Sequence, residues 1–179
     1  MKLMIICNSF IASLLLMIST PVLANVAASD VMQAKSDKAW EQNIRKQNFK
    51  DGQFIEGPEQ NIFQLKSPYT AEDASIVPIS IHTNVLQTED HYIKKIHIFV
   101  DRNPLPLVGI FEFTPDSGKA DLAMRIRVDS FSYIRAVAEM NTGELYMAKR
   151  FIRARGACSA PPPTASLEDL ERLLGTLKI

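Results

Sequence analysis

The chain has 179 residues, with 20 Lys and Arg against 20 Asp and Glu, so its formal net charge is zero. That balance, with no long basic block, excludes the electrostatic footprint of a nucleic-acid binder. The length suits one domain with a sizeable core and some peripheral segments.

Lys2 gives a short basic start, Leu3 to Ile18 is a mostly apolar run, and Val22-Leu23-Ala24 offers a cleavage site. This reads as a secretory signal over residues 1–24, removed after Ala24, for a periplasmic protein with no membrane attachment once cleaved. A retained membrane anchor is the competing reading, although the apolar run is on the short side for a span, which needs about 20 residues. Cys7 leaves with the signal, and no lipobox pattern precedes it.

Residues 25–68 read as an N-terminal helix and a connecting segment. Ser29 to Lys50 is helix-prone, with Ala34, Ala39, Trp40 and Ile44 at helical spacing and Lys35, Lys38, Glu41 and Arg45 on the other side. Trp40, the single tryptophan, is expected to dock this helix on the body. Asp51-Gly52, Gly57-Pro58 and Ser67-Pro68 are turn signals, and Ile62 to Leu65 suits a short edge strand.

From residue 69 to 155 the period is two. Val77, Ile79 and Ile81 alternate with Pro78, Ser80 and His82, and Pro78 confines this strand to an edge or places the proline at a strand start. Ile96, Ile98 and Val100 alternate with Lys95, His97 and Phe99. Asp101 to Pro104 is a turn by composition. Leu107, Gly109, Phe111 and Phe113 oppose Val108, Ile110 and Glu112, and Leu122, Met124, Ile126 and Val128 oppose Ala123, Arg125 and Arg127. Two further strands, Ser132 to Met140 and Glu144 to Arg155, flank Asn141-Thr142-Gly143, whose glycine suits a hairpin bulge. Six or seven short strands with turns between them predict an all-β fold, an immunoglobulin-like antiparallel β-sandwich. A cysteine-bearing arm follows over residues 156–163, then a helical tail over 164–179 with Ser166 as N-cap and a leucine stripe from Leu167 to Leu177.

The chemistry available concentrates on Cys158, the cysteine left alone after signal removal. An unpaired cysteine in an exported protein points to intermolecular chemistry or a reactive thiol. Gly156, Ala157, Ser159 and Ala160 flank it without a bulky shield, and Pro161-Pro162-Pro163 forms a stiff spacer. Arg153 and Arg155 share a strand face just before it. They read either as thiolate-stabilising cations or as a solvated edge. His82, His91 and His97 lie at no metal-ligand spacing with the cysteine, and His82 and His97 read as surface residues opposite the apolar stripes. No metal or cofactor is expected beyond a covalent sulfur adduct on Cys158. No nucleophile elbow, phosphate loop or dinucleotide fingerprint occurs.

Ser67-Pro68-Tyr69-Thr70-Ala71-Glu72-Asp73-Ala74, Ile76-Val77-Pro78-Ile79, Phe99-Val100-Asp101-Arg102-Asn103-Pro104 and Gly143-Glu144-Leu145-Tyr146 resemble SoxY, the periplasmic sulfur-carrier family. The resemblance runs from about Trp40 to Cys158. It is strongest to the SoxYZ-like carriers encoded with quinoprotein dehydrogenases, through Tyr146-Met147-Ala148-Lys149 and Cys158-Ser159-Ala160-Pro161. It implies an immunoglobulin-like sandwich, a carrier role for Cys158 in thiosulfate or sulfur oxidation, and a non-enzymatic protein that presents its cargo to partner enzymes. A separate SoxZ-like subunit is the implied heterodimer partner. Ala157 and Ser159 depart from the family's usual glycines, and the chain continues past the arm to Ile179. The alternative is an accessory binding module of a periplasmic quinoprotein (methanol or alcohol) dehydrogenase system without sulfur carriage. A thiol peroxidase fits less well, because no second cysteine resolves a sulfenic acid.

Overall fold

A computed structural model of the protein describes residues 21–57 and 61–154. The arm, with Gly156, Ala157, Cys158, Ser159 and Ala160, lies outside the described residues, as do Arg155 and the leucine-rich tail.

The chain opens with helix α1 (Pro21–Ala39), passes through a π-helical turn at Trp40–Ile44, and ends its helical run in α2 (Arg45–Phe49). Lys50, at φ 51°, terminates it, and the Gly52 amide donates to the Phe49 carbonyl to close the turn. The helical run thus starts earlier than the stretch expected from Ser29. Its buried stripe is Ser29, Ser36, Trp40 and Ile44, while Ala34 is exposed. Serine takes the place that apolar periodicity gave to alanine, because Ser36 Oγ accepts a hydrogen bond from the Tyr133 amide at 3.1 Å.

Nine strands follow among the described residues: β1 (Phe54–Glu56), β2 (Phe63–Lys66), β3 (Thr70–Ala71), β4 (Val77–Thr83), β5 (Ile93–Val100), β6 (Leu107–Glu112), β7 (Leu122–Ile126), β8 (Ser132–Met140) and β9 (Leu145–Ala154). The larger sheet runs β1-β9-β8-β5-β6, with β3 also on β9, and the smaller runs β2-β4-β7. Val77, Ile79, Ile81 and Ile126 of the smaller sheet meet Ile96, Ile98, Ile134, Ala136, Ala138 and Ile152 of the larger in the main core. The alternation read for β4 and β7 is therefore the real one. Pro78 lies in the middle strand of the smaller sheet, yet β2 pairs only with Ser80–Thr83. The proline thus occupies a strand start with no neighbour on that side, where its missing N–H breaks no ladder.

Two features depart from a wholly antiparallel sandwich with one dry face per sheet. First, β1 and β3 both pair with β9 in parallel, Phe54–Glu56 against Leu145–Met147 and Thr70–Ala71 against Arg153–Ala154. They cover the two ends of an edge that would otherwise stand open to association. Second, the outer face of the larger sheet is itself covered. Trp40 and Ile44 pack on Phe99, Val137 and Met147, with Phe49, Phe54 and Leu145 around them, in a second core. Trp40 docks the helix as expected, with its ring 5.6 Å from that of Phe99 and 5.8 Å from that of Phe54. The layers are helix, larger sheet, smaller sheet.

That covering helix corrects the reading of His97 as a surface residue. His97 is only 8% exposed, registered opposite Val137 and packed edge-on against Phe49 at 5.1 Å. His82, on the uncovered face of the smaller sheet, is exposed.

Candidate functional site

The last strand leads to the arm. β8 and β9 form a hairpin through Asn141-Thr142-Gly143, with Gly143 at φ 99°, a conformation that favours glycine. β9 then runs ten residues to Ala154, at the end of the sheet shared by the start of β8 and the end of β5. Cys158 follows four residues later in the sequence.

Of the cations expected near the thiol, Arg153 is described and is tied down. Its guanidinium lies 5.5 Å from the Phe131 ring centre and 6.0 Å from that of Tyr69, and its amide donates to the Tyr69 carbonyl at 2.8 Å. Arg150 sits on the opposite face of β9, since side chains alternate along a strand. Its Nε donates to the Leu65 carbonyl at 3.1 Å, joining the free middle of the β9 edge to β2 of the other sheet. Arg155, the cation expected to share a face with Arg153, lies outside the described residues.

A depression of about 310 Å³ lies beside this edge, lined by Lys66, Ser67, Tyr69, Arg150 and Phe151. A second of about 560 Å³ shares Lys66 and Ser67 and extends over Pro78, Ser80 and Arg125. Chain order gave no sign of this meeting, because Lys66 and Arg150 are brought together only by the approach of the two sheets.

Behind the hairpin lies a buried charge network that the sequence reading missed. Arg135, 1% exposed, directs Nε at both carboxylate oxygens of Asp101 (3.0 and 2.9 Å) and Nη2 at Asp37 of α1 (2.6 Å). Lys149 of β9 reaches the same Asp37 oxygen at 2.9 Å. The Arg135 guanidinium also covers the Trp40 ring at 4.8 Å. Two cations and two carboxylates thus pin the helix to β8, β9 and the turn after β5. Burial pushes the Asp101 carboxyl up to about 6, against the pull of Arg135. At Asp37, burial also pushes up, but hydrogen bonds from Lys149 and Arg135 outweigh it and hold the carboxyl below its ordinary value. The sequence signal was an arginine within the apolar run Tyr133-Ile134-Arg135-Ala136-Val137. Burial also lowers His97, against a raising contribution from Glu139, whose Oε2 is 3.5 Å from Nε2.

Among the described residues no three His, Cys, Asp or Glu side chains converge as a metal site. The model of one protein family, described as sulfur oxidation protein SoxY, matches residues 45–158. The chain belongs to the SoxY family. The SoxY match covers β1 to β9 and ends on Cys158 itself. No curated protein matches the chain. Among solved structures, the sulfur carrier protein SoxY from Chlorobium limicola f thiosulfatophilum is 23% identical, over 67% of this chain and 99% of that one, with a TM-score of 0.49. A superoxide reductase (neelaredoxin) from Ignicoccus hospitalis is 15% identical over 52% of this SoxY-family chain and 80% of its own, with a TM-score of 0.47.

Proposed function

We propose that this SoxY-family chain is a periplasmic covalent carrier, with Cys158 holding a sulfur intermediate while partner proteins transform it. The observation that carries this reading is the family match, which spans the sandwich and closes on the cysteine of the arm. The described fold supports it, because its two cores and its charge network are complete without any cysteine.

The chemistry sets what the partners supply. Joining the Cys158 thiolate to the outer sulfur of thiosulfate forms an S–S bond and releases two electrons. The chain has two cysteines, Cys7 in the signal and Cys158, so the mature protein has no second thiol to take those electrons. They pass to a redox partner, and water later releases the terminal sulfur oxyanion on a hydrolytic one. This protein presents the group and catalyses neither step. A SoxZ-like subunit is the proposed heterodimer partner.

Intact mass before and after reduction tests the proposal, using chain isolated from the periplasm without reductant. The expected result is a reducible mass increment that maps to Cys158 and is absent from Cys158→Ser. A thiol that stays unmodified after exposure to thiosulfate, sulfite and sulfide with an oxidant present would reject carriage. It would favour the accessory module of a quinoprotein dehydrogenase system.

A further inference from the structure

The larger sheet treats its two edges differently. β1 and β3 cover the ends of the β9 edge, whereas β6, at the other edge, has β5 as its one neighbour among the described residues. Leu105, Leu107, Val108 and Ile110 are exposed there, four of the eight large apolar side chains so exposed among the described residues. Gathered on one edge within six residues, they mark an interaction surface and not scattered exposure. An open edge strand is ordinarily guarded by charge, proline or a bulge. Here Pro106 precedes the strand, and the register shift against β5 touches only its start. The one charge of β6, Glu112, is held by Lys95 of the neighbouring strand at 2.8 Å.

Backbone parity decides which groups the edge offers. The Phe113 amide donates to the Lys94 carbonyl, so Phe111 and Gly109 also turn their backbone polar groups toward β5. Ile110 and Glu112 therefore direct theirs outward. Val108, which the register shift skips, has no counterpart on β5.

We infer that this edge joins a second copy of the chain, as an isologous dimer in which β6 pairs antiparallel with itself about Gly109. What selects a second copy is that the strand is complementary to its own reverse. About Gly109, Val108 faces Ile110 of the second copy and Ile110 faces Val108, outward pairs that each exchange two N–H···O bonds. Leu107 meets Phe111, and Glu112 falls opposite Pro106, where the ladder ends. No charge is buried and no like charges meet. Gly109 faces itself at a non-hydrogen-bonded position, where Cα atoms approach to about 4.5 Å. A side chain there would crowd the copy and also the Phe111 ring, which comes within 3.3 Å of where a Cβ would stand. Centring the pairing on Ile110 instead sets Val108 against Glu112, an apolar side chain against a charge. The inference goes beyond the carrier reading and does not depend on it.

The test is sedimentation equilibrium of the full mature chain over a concentration series, in the Cys158→Ser background so that no disulfide joins two copies. The expected species is a dimer. Val108→Lys and Ile110→Glu each set a charge against an apolar side chain twice per interface, and each should weaken dimerisation about a hundredfold. Combined in one chain, they oppose an ammonium to a carboxylate across the two-fold axis. Dimerisation should then recover by about tenfold over either single variant. Both sites are exposed, so the variants keep the fold. If either fails to fold, amide exchange in the parent carries the test, with Val108 and Ile110 expected to slow as concentration rises. A chain that stays monomeric overturns the inference and leaves the edge to a strand of a different protein. A dimer indifferent to the single variants overturns it too. Weakened singles with no recovery in the double variant reject the pairing about Gly109.

Discussion

Asp101 and His97 are both buried ionisable groups, and they shift the protein's stability in opposite senses as pH changes. Asp101 is raised from 3.8 to about 6, so the folded state binds its proton more readily than the unfolded chain. Its contribution is fully present below the unfolded value and is lost as pH rises through about 6, a span of roughly 3 kcal/mol. In urea melts, the stability advantage of wild type over Asp101→Asn should therefore be larger at pH 4 than at pH 7, by up to about that amount. Parallel profiles for the two proteins would contradict the burial-driven shift. His97 is lowered from 6.5, chiefly by burial, so its neutral form is favoured in the folded state. Its contribution is present above the unfolded value and lost as pH falls through the folded one. His97→Gln, which cannot titrate, should lose less stability than wild type between pH 7 and pH 5. An equal loss would assign the acid sensitivity to other groups.

Helix and sheet meet through one large ring and one ionic clamp. Trp40 is 1% exposed and touches Phe49, Phe54 and Phe99, and the Asp37 carboxylate is gripped by Arg135 and Lys149. Truncating Trp40 to Ala removes the largest side chain of the second core, a change that costs about 3–5 kcal/mol. Because the smaller sheet packs on the opposite face, we expect hydrogen exchange to rise first over residues 29–49 and over β5 and β8. Amides of β4, between β2 and β7, should keep their protection longer. Uniform loss of protection in Trp40→Ala would mean that the helix and the sandwich unfold as one unit.

At the scale of the whole molecule, the described fold is built without a thiol. The described cores contain no cysteine, and β9 is anchored by β8 along its length and by β1 and β3 at its ends. Cys158→Ser should leave the unfolding free energy within about 0.5 kcal/mol of wild type, because neither described core uses a cysteine. The same variant should lose the reducible adduct. A large fall in Tm would show that the thiol packs against the sandwich.

Strand alternation was legible in β4 and β7 because one face of the smaller sheet is left to solvent and the residue pattern records it. It misled at His97, since both faces of β5 are buried and a histidine among aromatic rings looks the same in sequence as one in water. The docking role of Trp40 was also legible, because a large ring on an amphipathic helix has few other fates. The pairing of Arg135 with Asp101 and Asp37, which are 34 and 98 residues away, was not. Nor was the meeting of Lys66 with Arg150 across the two sheets. Sequence by itself determined the strand-rich class, the docking helix and the family. Tertiary structure alone decided the buried charges and the meeting of Lys66 with Arg150, because partners distant in the chain are chosen by how the layers stack.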